Sequence, residues 1–99
     1  MTVSLDSVFI PSDEVVARDI EGEIIIVPLS AGIGDLEEEF FSLNDTGREI
    51  WLSMDGLRSL AEIAAQLALA FDAPEEQIRQ DVLGLVGELL KRKMLVEVG

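Results

Sequence analysis

The chain changes periodicity at Leu43. Before it, apolar residues come in short runs of strand length; after it, they recur at helical spacing almost to the C-terminus. The stretch Leu43-Asn44-Asp45-Thr46-Gly47-Arg48-Glu49-Ile50-Trp51 is where the two regimes meet, and it carries the only tryptophan. Strands followed by helices, joined this directly, predict an α+β domain in which a sheet packs on a helical layer.

Upstream of the junction, residues 1–14 are poorly patterned and Pro11-Ser12-Asp13 breaks them. A strand is expected over Val15–Ile20, a turn at Glu21-Gly22-Glu23, and a second strand over Ile24–Leu29. Two such runs around a short glycine-containing loop read as a β-hairpin. Pro28 falls near the strand end, where its missing N–H does least harm. Ser30-Ala31-Gly32-Ile33-Gly34-Asp35 reads as a loop. Glu37-Glu38-Glu39 then leads into a third strand, with Phe41 and Leu43 on one face and Phe40 and Ser42 on the other. The acidic triplet is a solvated run or a guard on a sheet edge.

Downstream, Asn44 or Asp45 caps a first helix, which buries Ile50, Trp51 and Met54 and ends at Asp55-Gly56. Gly47, inside its first turn, implies that another backbone packs closely there. Ser59-Leu60-Ala61-Glu62 is a capping box, opening a second helix with Leu60, Ile63, Ala64, Leu67, Ala68 and Phe71 on one face. Pro74 starts a third helix, with Glu75 and Glu76 in its first turn and Lys91, Arg92 and Lys93 at its end, as the helix dipole favours. Its buried stripe is Ile78, Val82, Leu85, Val86 and Leu89. Met94–Val98 alternates as a closing strand.

Gly84 and Gly87 lie inside the third helix, where two glycines cost up to about 2 kcal/mol relative to alanine. Either this face packs against the protein's own sheet, or it floors a groove for an extended peptide.

Ninety-nine residues suffice for one domain: a 1–14 segment followed by a folded unit over 15–99. No apolar run approaches the roughly 18–20 residues that cross a bilayer, so a cytoplasmic protein without membrane attachment is expected. The chain has no cysteine and no histidine. Disulfides, thiolate nucleophiles, imidazole bases and Cys/His zinc sites are thereby excluded. No phosphate-binding glycine loop or Gly-x-Ser-x-Gly elbow is present. A non-catalytic protein with no metal and no cofactor is the expectation.

The net charge is −13, and it is uneven: residues 1–45 hold eleven acids and one base, residues 46–99 nine acids and six bases. Three helices beside a small sheet predict a winged helix-turn-helix, whose usual ligand is DNA. Nucleic-acid affinity comes mostly from Lys and Arg displacing counterions, so a regulator bound to DNA is the disfavoured alternative.

In order along the chain, Val15-Val16-Ala17-Arg18, Gly22-Glu23-Ile24, Phe41 to Trp51, Asp55-Gly56, Ser59 to Ile63, Phe71 to Glu76 and Asp81 to Leu95 resemble the PqqD-like family of coenzyme PQQ synthesis, also called the RiPP recognition element. The resemblance covers about five-sixths of the chain. It implies a three-stranded antiparallel sheet followed by a three-helix bundle. It further implies a peptide chaperone that presents the leader of a ribosomally made precursor to a modifying enzyme, a radical SAM protein in PQQ synthesis.

Carried onto this chain, the leader joins the edge Glu39-Phe40-Phe41-Ser42 as an extra strand, opposite Gln77, Asp81, Gly84, Leu85 and Glu88 on the third helix. An exposed edge of that kind admits either a monomer or a strand-mediated homodimer. The acidic half of the chain favours a leader with basic residues, and apolar anchors fit equally.

Overall fold

The computed structural model describes residues 3–29 and 40–98. In chain order these form β1 (Val8–Pro11), β2 (Val15–Ile20), β3 (Glu23–Pro28), β4 (Phe41–Leu43), α1 (Asp45–Leu52), α2 (Leu60–Phe71), α3 (Glu75–Lys91) and β5 (Leu95–Val98). The three-stranded sheet has the order β2-β3-β4, all antiparallel, and stands before a three-helix unit as expected. The Ser30–Asp35 loop and the acidic triplet Glu37–Glu39 lie outside the described residues.

The β2–β3 hairpin closes through two residues, Glu21 at φ +54° and Gly22 at φ +87°. Two left-handed residues match the right-handed twist of the paired strands. The Asp19 carboxylate accepts the Gly22 N–H at 3.0 Å and steadies the turn. The next pairing sets Ile24 opposite Leu43 and Ile26 opposite Phe41. Ile24, Ile26 and Leu43 are buried and Phe41 is half-buried, so this face meets the helices while Ser42 points away.

Each helix start follows from local chemistry. Asn44 caps α1, its side-chain oxygen accepting the Gly47 N–H at 2.8 Å. The Ser59–Glu62 capping box forms with both of its hydrogen bonds. Pro74 is the N-cap of α3 and contributes no side-chain bond, leaving Glu75 and Glu76 to complement the helix terminus. Trp51, Ile50 and Met54 are buried together with Leu60, Ile63, Leu67, Val82, Val86 and Leu89. Trp51 is a core anchor, 6% exposed.

The structure departs from expectation at four places. Residues 1–14 contain a strand: β1 pairs with β5 in a separate two-stranded ribbon, Ile10 opposite Val96. Phe9 is buried in the core, and the backbone carbonyls of Ser7 and Leu5 accept the N–H groups of Leu60 and Ala61. With Ser59 Oγ taking the Glu62 N–H and Ser59 O the Ile63 N–H, the first donors of α2 are all satisfied. The N-terminal segment is therefore the outer half of a helix cap.

Helix α1 ends at Leu52, short of Asp55-Gly56. Gly56 does take positive φ, +78°, but its role is to let β1 approach: a Cβ there would lie 2.7 Å from Ile10 Cγ2. At Gly47 the close neighbours of a Cβ are side-chain atoms of Asn44 and Leu43 at 3.2–3.4 Å, so the position is tightened by its own cap and not by a second backbone. Phe71, at the last position of α2, is 39% exposed and not part of the buried face. Of the two alternatives at Gly84 and Gly87, packing on the protein's own sheet is not seen among the described residues, where a Cβ on either meets nothing within 4 Å.

Candidate functional site

Strand β4 is the last strand of its sheet, and among the described residues nothing pairs with its outer edge. An edge of this kind presents unpaired N–H and C=O groups to whatever lies beside it. What lies beside it is α3, across a cleft of ≈ 280 Å³. Phe41, Ser42 and Leu43 form one wall, Asp81 and Leu85 the other, and Asn44, Thr46, Gly47 and Ile50 close the end where α1 begins. The α1 cap thus has two effects: it terminates β4 after three residues and it floors the cleft.

A second depression of ≈ 380 Å³ is lined by Glu88, Lys91, Arg92, Lys93 and Met94. The two are joined by Arg92, whose guanidinium carbon sits 4.8 Å from the centre of the Phe41 ring. Glu88, one turn earlier, accepts a hydrogen bond from Arg92 Nε at 3.1 Å and holds the guanidinium in place. With Arg92 over Phe41, Asp81 falls three turns back along α3, about 16 Å away at 1.5 Å per residue, at the Asn44–Thr46 end. So α3 runs antiparallel to β4.

The expected site residues separate into groups. Phe41, Ser42, Asp81 and Leu85 come together in the cleft. Glu88 belongs to the adjoining depression. Phe40 is 42% exposed at the approach to β4 and lines neither space. Gln77 and Gly84 are exposed on α3 beside the cleft without lining it. Glu39 lies outside the described residues.

Leu85, placed by its spacing on the buried stripe, is only half-buried because its side chain faces the cleft. Asn44, Thr46, Gly47, Ile50 and Arg92 were not foreseen as lining residues. Their spacing was fully explained by capping, core burial and the helix dipole, and nothing in the pattern set them apart.

Electrostatics divide the cleft. Arg79 pairs with Glu75 and Arg92 with Glu88, both along α3. Among the described residues Asp81, Lys91 and Lys93 form no ion pair, which leaves one acid at one end and two ammonium groups at the other. The groups with displaced titration lie elsewhere. The Arg48 guanidinium, 3.0 Å from Asp19, lowers the pKa of that carboxyl, and Asp19 in turn raises that of Arg48. Backbone N–H groups of Leu57 and Arg58 lower that of Asp55. These pairs fasten β2 to α1 and shape the α1–α2 loop. Among the described residues no three His, Cys, Asp or Glu side chains gather as a metal site, and no helix is long and apolar enough to cross a membrane.

A small antiparallel sheet whose β4 edge, unpaired among the described residues, faces the last helix of a three-helix unit across a cleft defines a domain of winged helix-turn-helix architecture. The family model described as coenzyme PQQ synthesis protein D (PqqD) matches residues 14–95, and the chain belongs to that family. The matched span begins after β1.

Among relatives, the PqqA binding protein of Gluconobacter oxydans (strain 621H) is 41% identical over 58 residues, covering 59% of this chain and 60% of that protein. The PqqA binding protein of Rhizobium meliloti (strain 1021) is 43% identical over 58 residues, covering 59% of each. The chain thus spans about three-fifths of the length of these curated relatives.

Two solved structures share the fold. The PqqD truncation of Methylobacterium extorquens PqqCD, a RiPP recognition element, aligns with a TM-score of 0.75 at 22% identity over 96% of this chain and 95% of that one. TbiB1 in complex with the TbiA(beta) leader peptide aligns with a TM-score of 0.71 at 21% identity over 87% of this chain and 93% of that one.

Proposed function

We propose that this chain is a non-catalytic adaptor that binds the leader of a ribosomally synthesised precursor peptide and presents it to a modifying enzyme. The leader adds as a fourth strand on β4 and lays alternate side chains into the cleft against α3. The observation that carries this reading is the edge of β4, unpaired among the described residues, facing Asp81 and Leu85 across an open cleft. Backbone hydrogen bonds to such an edge supply affinity whatever the side chains, and the cleft supplies selectivity.

Membership of the PqqD family, relatives named for binding PqqA, and a fold shared with a leader-peptide complex support the same reading. In the coenzyme PQQ pathway the enzyme served is a radical SAM protein, and the adaptor works in the cytoplasm. The peptide-free edge admits a strand-paired homodimer, which the leader displaces. A DNA duplex finds no comparable partner, because two arginines of this region are tied to glutamates and acids crowd the start of α3.

Isothermal titration with the leader of the precursor encoded beside this chain's gene tests the proposal, with PqqA of Gluconobacter oxydans as reference peptide. Binding is expected, and Leu85→Trp, which fills the cleft, is expected to weaken it at least tenfold while thermal unfolding stays cooperative. A folded protein that binds neither peptide contradicts the proposal. So does Leu85→Trp binding as tightly as the parent.

A further inference from the structure

The cleft between β4 and α3 is electrically polar along its length, and we infer that it reads the order of charges on the peptide it binds: a cationic side chain first, a carboxylate four or six residues later. The inference rests on the strand-addition reading above and adds a specificity to it.

The geometry supplies the order. Asp81 lines the cleft about 16 Å back along α3 from the Arg92–Phe41 contact, and so falls at the end away from Phe41. Lys91, Arg92 and Lys93 stand around the depression that continues it past Phe41. The two ends are about 16 Å apart along α3, which an extended peptide at about 3.3 Å per residue covers in about five residues. Side chains directed at α3 recur every second residue, so the matching pair is separated by four or six positions.

An antiparallel addition, the more stable pairing, starts the peptide at the Leu43 end of β4 and leads it out past Phe41. Its earlier residues therefore meet Asp81, and its later residues meet the cationic end. Arg92 is already held by Glu88 at 3.1 Å, so Lys91 and Lys93 are the groups that a peptide carboxylate engages first.

One of them, Lys93, closes the helix as well. Lys93 takes φ +61°, a left-handed conformation that glycine adopts at lower cost. It follows the end of α3, its N–H bonded to the Leu90 carbonyl and the Met94 N–H to that of Leu89. Helices that close this way usually place glycine there. Lys93 lines the depression from that position.

Selection of a displayed library of random 15-residue peptides on the intact chain tests the inference, with affinities of enriched peptides measured by fluorescence polarisation. The expected result is enrichment of Lys or Arg four or six residues ahead of Asp or Glu. Exchanging those two residues within a peptide should weaken binding about tenfold at low salt, the sum of several exposed ion pairs. Asp81→Lys combined with Lys91→Glu and Lys93→Glu should prefer the exchanged peptide. Lys93→Gly should lower the preference while raising the melting temperature.

Peptides enriched without charge order, or an unchanged preference in the reversed variant, overturn the charge reading and leave strand addition standing. Absence of enrichment, or enriched peptides that bind Leu85→Trp undiminished, overturns strand addition and the charge order with it.

Discussion

The guanidinium of Arg92 lies over the ring of Phe41, 4.8 Å from its centre, and joins the end of α3 to the edge strand β4. The contact links the two cleft walls at the Phe41 end. Because both groups are partly exposed, it is worth about 0.5–1 kcal/mol to the fold. Arg92→Ala should therefore lower stability by no more than about 1 kcal/mol in denaturant titration, yet it should change leader affinity severalfold. A loss above about 3 kcal/mol would make Arg92 part of the core and not of the cleft rim.

Gly84 and Gly87 give a test in the opposite direction. Among the described residues, nothing lies within 4 Å of the Cβ position of either. Alanine should then stabilise α3 by up to about 1 kcal/mol at either site, through helix propensity and a restricted unfolded chain. Tryptophan at position 84 should leave the fold intact and obstruct an incoming strand. Destabilisation by Gly84→Ala would mean that the face packs on something.

The N-terminal segment should matter well beyond its pattern. Phe9 is 2% exposed, and the segment around it supplies two acceptors to the start of α2. Phe9→Ala should cost about 3–5 kcal/mol, as for other buried aromatics. Removing residues 1–13 should lower the melting temperature further, because it also strips β5 of its partner and α2 of its outer cap. A truncated chain as stable as the parent would contradict the structure of the β1–β5 ribbon.

Acid should loosen two surface fastenings. The pKa values of Asp19 and Asp55 are lowered in the folded state, by the Arg48 hydrogen bond and by backbone N–H groups respectively. Each contribution is fully present above the unfolded carboxylate value of about 3.9 and is lost as pH falls through the lower folded value. Asp19→Asn and Asp55→Asn should thus be less stable than the parent at neutral pH and should converge with it in acid. Both groups are exposed, so the differences are small and shrink in salt. At neutral pH, salt should also relieve the self-repulsion of a chain of charge −13.

How much of this was legible beforehand depends on how local each signal was. Val15–Ile20 was readable to the residue because β-branched runs and a Glu-Gly turn are self-contained signals. The Ser59–Glu62 box and the Asn44 cap were readable for the same reason. The pairing of β1 with β5 was not. It joins residues some ninety positions apart, and Val-Phe-Ile-Pro is too short to declare itself.

The same limit applies at the cleft. Phe41, Ser42, Asp81 and Leu85 followed from a resemblance that assigns a strand edge and a helix face. Arg92 escaped because a basic residue in the last turn of a helix already has an explanation in the dipole. Its ring contact depends on where β4 lands, which no local pattern states. Gly84 and Gly87 were visible as anomalies, but only the structure separates an open face from a packed one.

The most direct test of the central claim is an amide NMR titration of the isotope-labelled chain with its precursor leader. The account predicts peptide-dependent protection from solvent exchange within Phe41–Leu43, intermolecular contacts between peptide backbone and β4, and shift changes at Asp81, Leu85 and Arg92. Unchanged β4 amides, with the perturbations on the β2 edge or the β1–β5 ribbon instead, would contradict it.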